Sequence, residues 1–492
     1  MISPYYLLIP ILLPILGGFL LLFLKIPLEA DRKRNTFLET VVILTSILVW
    51  LALFSVKREA VQVISLSGAF SIGFRLDGLS CLFAGMVSLM WPLVMLYAFE
   101  YMEGAGKKNR FFAFYVMTYG VTLGLSFSYN MTTLYTFIEM LTLVTIPLVV
   151  HYGNSESMYA GRKYAAFTIG GTGLAFFAVV ITTVYGEAGI FNYGGSLHLS
   201  RLTPILQLAF LSGFFGFGVK AAIFPLHAWL PTASAAPTPV TALLHAVAVV
   251  NSGVFAVTRL IWYTFGSETL YGTLSETAAL MTAVFTMVFA AAMALKERHF
   301  KRRLAYSTVS NLSYMLFGIL LLTPGGMTAG LLHMVFHGII KMSLFLCAGA
   351  FIHVTGNEYI YQVNGVGKRM PLTFILYTLA GFSLAGIPVF CGFVSKWRLV
   401  NAGIEEGSRQ GLTGVFVLII SAFLCAMYIL TVSVRAFFPV KGTDRYGERS
   451  DVKDPGKRML APIVFFGILN ILLGIHPGPV IGYIEKIAAG LL

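Results

Sequence analysis

The stretch GVKAAIFPLHAWLP, residues 218–231, decides how this chain is read. Lys220 stands inside a long apolar run, and Pro225, His227, Trp229 and Pro231 follow within eleven residues. A proline inside a helix removes a hydrogen bond and clashes with the preceding turn. The stretch therefore puts a cation and a broken helix together in apolar surroundings. What those surroundings are follows from the rest of the chain.

Of 492 residues, 57% are hydrophobic and 11% are charged. A soluble globular chain carries roughly 25% charged residues. Apolar runs of about twenty residues, each long enough to cross a ~30 Å hydrocarbon core, recur from end to end. A membrane β-barrel would show short alternating segments instead. The composition predicts an all-α polytopic membrane protein. Fourteen candidate transmembrane helices fall near 3–25, 36–56, 77–100, 110–128, 130–151, 161–186, 204–224, 238–263, 273–295, 302–323, 326–354, 371–400, 411–437 and 458–476. An apolar piece at 479–492 is too short to span again. The longest polar stretch, KGTDRYGERSDVKDPGKR at 441–458, reads as a connector or partner-docking loop, so residues 1–492 form a single transmembrane domain.

Cys81, Cys347, Cys391 and Cys425 all lie in apolar segments with no C-x-x-C pair. Iron–sulfur clusters need grouped thiolates, so neither a cluster nor a disulfide is expected. The net charge of +13 reflects basic cytoplasmic loops rather than a nucleic-acid partner. With the N-terminus outside, those loops hold Lys25, Arg32, Lys33 and Arg34; Lys107, Lys108 and Arg110; Arg162 and Lys163; Lys296, Arg298, Lys301, Arg302 and Arg303; Lys368 and Arg369; and the basic residues from Arg435 to Arg458. The positive-inside rule then places both termini outside. The first apolar run has no basic leader and no small-residue cleavage site, and reads as a retained span.

Seven ionisable residues lie deep in these spans: Glu139, Lys220, His245, His333, His337, Lys341 and Lys396. A charge at the bilayer centre costs roughly 2.5–3.5 kcal/mol even on the lenient insertion scale. Glu139 and three lysines would together cost on the order of 10 kcal/mol unpaired. Each alone has an ordinary reading: a structural ion pair for a lysine, a snorkelling side chain for Lys396, a hydrogen-bonded core residue for a histidine. The set is harder to dismiss. In LLHMVFHGIIKMSLFL, 331–346, His333, His337 and Lys341 are four apart, so they share one helix face over about 12 Å. Histidine exchanges protons near neutrality, and lysine joins it once burial or a neighbour disfavours its charged form. The column reads as a proton path. A zinc site is the weaker reading, because the third position is a lysine and no acid follows.

Two spans look interrupted, each beside a lysine. Span seven breaks at Phe224–Pro225, past Lys220, and span twelve holds GIPVFCGFVSKW, 386–397, with Gly386, Pro388 and Gly392 before Lys396. Backbone freed at membrane depth survives only where protein buries it or water reaches it. Paired broken helices point to an inverted-repeat transporter; two ordinary proline kinks are the alternative.

These residues carry a resemblance. GVKAAIFPLHAWLPTASAAPTPVTALLHA (218–246), TFIEMLTLVTIPL (136–148), LLHMVFHGIIKMSLFL and GIPVFCGFVSKW resemble the hallmark stretches of the antiporter-like subunits. These are shared by respiratory complex I, Mrp-type cation/proton antiporters and membrane-bound hydrogenases. The resemblance implies about 14 helices with two inverted five-helix repeats, spans 4–8 (approximately 110–263) and 9–13 (approximately 273–437), and discontinuous helices 7 and 12. It implies that Glu139 pairs with Lys220, that His245, His333, His337 and Lys341 form the central hydrophilic axis, and that Lys396 ends it. There are departures. At the position where many members carry a span-eight lysine, HAVAVVNSG has Asn251, and span six lacks an acid found in some members. The chain also stops after span fourteen, without the long lateral helix of complex I's most distal subunit, which implies an inner or hydrogenase/Mrp-type subunit.

The function expected is proton translocation within a multisubunit membrane complex, complex I-like or hydrogenase-like, through a Glu/Lys/His relay. The alternative is a Na⁺/H⁺ antiporter subunit of an Mrp-type complex; a structural spacer, or the membrane half of an inorganic-carbon uptake system, is a third reading. No catalytic chemistry, cofactor or metal is expected in this chain. Redox cofactors would reside in partner subunits, and other antiporter-like and small membrane subunits would be neighbours. A prokaryotic cytoplasmic membrane is the expected location.

Overall fold

The computed structural model describes residues 2–23, 31–67, 70–186, 189–197, 202–440, 442–446 and 451–492. Lys25, and Lys441 and Arg449 of the 441–458 connector, lie outside the described residues. The described residues are mostly helical. In order the α-helices are α1 (Leu8–Phe23), α2 (Asp31–Ser55), α3 (Gly78–Tyr101), α4 (Lys108–Ser126), α5 (Met131–Val149), α6 (Ser155–Tyr185), α7 (Pro204–Gly218), α8 (Trp229–Ala233), α9 (Thr238–Ala246), α10 (Val249–Thr258), α11 (Ser267–Leu270), α12 (Leu274–Lys296), α13 (Phe300–Leu320), α14 (Pro324–Thr355), α15 (Pro371–Ala385), α16 (Cys391–Glu406), α17 (Arg409–Phe437), α18 (Lys457–Ile475) and α19 (Gly478–Ala488).

Helix starts follow local chemistry. Asn130 accepts from Thr133 N at 2.8 Å to open α5, and Asn154 accepts from Ser157 N at 2.8 Å to open α6. Thr323 accepts from Gly326 N at 3.1 Å to open α14. Each satisfies one of the four N–H groups that a helix start leaves unpaired.

Among the described residues, ten helical segments are long and apolar enough to cross a membrane, and α7 and α15 are shorter apolar helices. The molecule is an integral membrane protein. Burial sorts these segments by depth. The stretch Thr238–Phe265 is wholly buried and α14 nearly so, whereas α2, α6, α17 and α18 leave much of their apolar surface outward. That outward surface includes Ile43, Ile47, Phe54, Phe416 and Phe423. α14 is the central post, packed on α3, α9, α13, α15, α16, α18 and α19.

Three interruptions shape the interior. α7 stops at Gly218, and the chain turns through Val219–Ala228 before α8, with Ala222 at φ 52°. The freed groups are recaptured: Trp229 Nε1 donates to Val219 O at 2.8 Å, and Phe224 N donates to Thr286 Oγ1 at 3.2 Å. The second break separates α15 from α16 at Gly386–Phe390, where Gly386 (φ 93°) and Val389 (φ 80°) turn the chain. The third is a correction to the sequence reading, which takes span 238–263 as continuous. Val247 and Ala248 divide α9 from α10, and Arg259–Phe265 continues as a π-helix. Asn251 Nδ2 donates to Ala246 O at 2.7 Å and takes a carbonyl the break would orphan.

The sequence reading also missed a hairpin. Strands β1 (Val61–Ser67) and β2 (Phe70–Phe74) pair antiparallel, Val61 opposite Phe74. A strand this short falls below a search for twenty-residue apolar runs. The hairpin is tied to the α4–α5 corner: Gln62 Nε2 donates to Tyr129 OH at 2.8 Å, and Asn130 Nδ2 to Ser71 O at 2.9 Å.

Candidate functional site

All seven site residues expected from the sequence lie inside the bundle, on α5, the α7–α8 break, α9, α14 and α16. Six are buried, with exposures of 0–6%, and Glu139 is half-buried. The structure gathers them into a Glu139–Lys220 group and a group along α14.

Glu139, Thr142 and Thr145 recur every third residue on α5, and Tyr164, Thr168 and Thr172 every fourth on α6. These spacings put each trio on one helix face. Lys220 Nζ donates to Thr142 Oγ1 and lies 5.4 Å from the centroid of the Tyr164 ring. Tyr164 OH and Thr145 Oγ1 are hydrogen-bonded at 2.7 Å. Glu139 accepts from Thr172 Oγ1. Among the described residues, no direct ion pair joins Glu139 to Lys220. The pairing that the resemblance implies is thus separated here, with each member held by its own threonine. Close approach is secured by glycine: a Cβ on Gly253 of α10 would lie 2.7 Å from the Lys220 carbonyl carbon and 2.8 Å from its Cβ.

Along α14, Lys341 and His333 are each hydrogen-bonded to α13. Lys341 Nζ donates to Leu304 O at 3.0 Å and to Ser307 Oγ. One turn on, Asn311 Nδ2 donates to Ser307 O at 2.7 Å, which aims Asn311 Oδ1 at His333 Nε2, 3.1 Å away. His333 Nδ1 lies 2.9 Å from Ser395 Oγ, which is also 3.3 Å from Gly392 O. Asn311 Oδ1 can only accept, so His333 Nε2 donates. In neutral His333 the Ser395 hydroxyl donates to Nδ1. In the imidazolium Nδ1 donates to Ser395, whose hydroxyl turns to Gly392 O. Both protonation states are therefore satisfied without moving the ring.

Lys396, next along α16, donates to Leu384 O at 2.5 Å and Ala385 O at 3.3 Å. These carbonyls end α15, where unpaired C=O groups and the helix dipole favour a cation. The Tyr314 ring lies 5.4 Å from the same ammonium.

His245 and His337 differ. All four of their ring nitrogens are buried without a protein partner, and His245 stacks on Phe345 at 4.7 Å. Most buried polar groups in native proteins are satisfied, so two unpaired imidazoles on one axis need another partner. The His337 ring centroid is 6.0 Å from that of His333.

Reasoning from ionisable residues alone missed Thr142, Thr145, Tyr164, Thr172, Ser307, Asn311 and Ser395. Their signal was present, as hydroxyls and amides at three- and four-residue spacing on apolar helices.

Fold and site together define a class: a polytopic α-helical membrane protein with a row of ionisable groups held inside its helical bundle. Residues 128–425 match the family described as NADH:quinone oxidoreductase/Mrp antiporter, TM, and residues 64–112 match the complex I chain 5 N-terminus. The chain belongs to this antiporter-like family of membrane subunits. It is 30% identical over 411 residues to one subunit of a probable K⁺/H⁺ antiporter of Rhizobium meliloti, covering 83% of this chain and 40% of that longer protein. Against one subunit of the Na⁺/H⁺ antiporter of Bacillus subtilis, identity is 25% over 501 residues, covering 99% of this chain and 97% of the relative. A chain of respiratory complex I from Thermus thermophilus superposes with a TM-score of 0.82 at 24% identity, covering 99% of this chain and 100% of that one.

Proposed function

We propose that this chain translocates protons within a multisubunit membrane complex of the complex I or membrane-bound hydrogenase kind. Glu139, Lys220, His245, His333, His337, Lys341 and Lys396 form the relay. The observation that carries the reading is His333, held between Asn311 Oδ1 and Ser395 Oγ beside Lys396, on the same helix as Lys341, which is held by the Ser307 hydroxyl. The His333 imidazole is hydrogen-bonded in both protonation states, as a carrier must be. His245 and His337 take water on their unpaired nitrogens, bridging Lys220 to Lys341 and Lys341 to His333. Asn251 cannot carry a proton, but its unpartnered Oδ1 accepts from such a water.

A partner supplies the driving force. When its conformation or charge changes, Lys220 moves between Glu139 and Thr142, taking up a proton in one position and passing it toward His245 in the other. The finer architecture belongs to the same reading. We count fourteen spans, pairing α7 with α8, α9 with α10, and α15 with α16 as broken or bent spans. Two inverted five-helix repeats cover approximately 110–263 and 273–437, both termini face outward, and the membrane is a prokaryotic cytoplasmic one. Redox cofactors sit in partner subunits.

The Na⁺/H⁺ reading is supported by the antiporter relatives. The Glu139 carboxylate with its Thr172 hydroxyl is the oxygen-rich point at depth where sodium would be expected. The assembled complex in proteoliposomes separates the readings. Replacing His333 by alanine should abolish proton uptake at any sodium concentration. Pumping at the wild-type rate in that variant contradicts the relay, and loss of sodium coupling alone supports the antiporter.

A further inference from the structure

Glu39 is a carboxylate that the relay does not use. It stands two turns inside α2 and is exposed, and beyond Thr40 the outward face of the helix is apolar, with Ile43, Leu44, Ile47 and Trp50. Among the described residues nothing hydrogen-bonds to it or pairs with it. A carboxylate at the edge of an apolar membrane face calls for a cation or water to meet it.

Its position is where two cavities meet. On one side is a polar pocket of about 680 Å³ lined by Asp31, Arg32, Thr36, Glu39, Glu103 and Arg458. Two arginines and three carboxylates face this space. Asp31 is already taken by Lys108 Nζ at 2.7 Å and Arg34 at 2.7 Å, and the Arg458–Glu103 pair is loose at 3.6 Å. On the other side an apolar groove runs between α2 and α3, past Ile43, Leu93 and Leu96. It continues past Ile47, Trp50 and Phe54. Pro92 lines both apolar stretches and lies inside α3, where it removes a backbone hydrogen bond. The path from Glu39 to Trp50 is eleven residues, about 16 Å of helix, close to one leaflet of a ~30 Å hydrocarbon core.

We propose that this groove is a binding site for a single aminophospholipid, phosphatidylethanolamine. Its primary ammonium donates to Glu39 and Glu103, its phosphate lies against Arg32 and Arg458, and one acyl chain fills the groove along Ile43, Pro92 and Trp50. The mixed charge selects the headgroup. An anionic lipid leaves Glu39 unpaired, and a choline headgroup has no N–H to donate. The site fixes α2 against α3 and is independent of which ion the protein moves.

The test is native mass spectrometry of the full-length protein from detergent, titrated in turn with phosphatidylethanolamine, phosphatidylcholine and phosphatidylglycerol of matched chains. Phosphatidylethanolamine should be retained over both others. E39Q should lower its retention about tenfold, the loss of one charge-assisted contact, while leaving the weaker phosphatidylcholine signal unchanged. I43W, which fills the groove, should lower retention of all three lipids. Both positions are on the outer surface, so folding is checked by size exclusion. Equal retention of the three lipids, preference for phosphatidylglycerol, or indifference to both substitutions overturns the proposal. So does a cross-link from W50C to a neighbouring polypeptide in the parent complex, which would make the groove a protein–protein interface.

Discussion

Lys220 and Glu139 sit within one polar cluster yet share no hydrogen bond: the ammonium is held by Thr142 and the carboxylate by Thr172. Thr142 stands one turn along α5 from Glu139, so the two groups that would hold Lys220 lie on one helix face. In the proposed relay the two threonine hydroxyls hold the separated charges while the pair is open.

The first prediction concerns the open state. T142V keeps the shape of the side chain and removes the acceptor of Lys220. Leaving a buried donor unsatisfied costs about 1–3 kcal/mol, and more for a charged one, which biases Lys220 toward Glu139. Proton pumping by the reconstituted complex should fall roughly tenfold while assembly is retained. Pumping within about twofold of wild type would show that Thr142 plays no part.

Close packing at the break yields the second. In G253A the added methyl group meets the backbone of Lys220 and Ala221. Backbone cannot step aside as a flexible side chain does, and overpacking of this kind costs about 1–3 kcal/mol. The purified protein should melt at a lower temperature than wild type, and Lys220 should be displaced with the break. An unchanged melting temperature would mean that α10 is free to move away.

The third concerns the clamp that holds the π-helical end of span eight. Arg259, fully buried, makes a two-pronged contact to Asp77, Nη1 to Oδ2 at 2.6 Å and Nη2 to Oδ1 at 2.8 Å, and donates to Ser80 Oγ at 2.9 Å. The Tyr263 ring lies 4.4 Å from its guanidinium carbon. Removing one partner of a buried pair costs about 3–5 kcal/mol, so D77A should be poorly folded. R259K, which keeps the charge but loses the fork, should fall between D77A and wild type in thermal stability. Equal stability of R259K and wild type would show that charge alone is needed.

Acid sensitivity at the connecting loops gives the fourth. Glu358, after α14, is hydrogen-bonded with His299 at 3.3 Å, and this contact holds its carboxyl below the ordinary 4.5, with burial opposing and Lys301 and Arg302 assisting. The native state therefore binds fewer protons here than the unfolded chain, and stability rises with pH. The contribution is complete above about 4.5 and disappears as pH falls through the lowered native value. Melting temperatures of wild type and E358Q should differ slightly at neutral pH and converge under acid, the effect being small because Glu358 is half exposed. A difference independent of pH would rule out the carboxylate as its source.

Much of this was legible in the chain. Long apolar runs marked the helices, and buried ionisable residues marked seven candidate positions, because both are costly features that stand out one residue at a time. The break at Gly386 was legible because glycine marks it, and Pro225 marked the other break but not its start: α7 already ends at Gly218, so Lys220 lies in the break and not in the helix before it. The break at Val247–Ala248 carries no such residue. It arises where Asn251 captures the Ala246 carbonyl, and a β-branched residue beside an alanine gives no warning of it. The Thr142, Asn311 and Ser395 contacts were hidden for a related reason. Neutral polar residues are tolerated in membrane helices by bonding to their own backbone, so only the facing helix shows which of them serve another side chain. The lipid-facing groove needs α2, α3 and α18 side by side, and no single segment encodes it.

The central claim is that Lys220 carries the proton. Its most direct test is acidification by the purified parent complex in proteoliposomes, wild type against K220A, with and without sodium. The account predicts that K220A loses proton translocation in both conditions while the complex stays assembled and its partner subunits still turn over. Proton translocation at the wild-type rate in K220A would contradict it and leave Lys220 a structural residue.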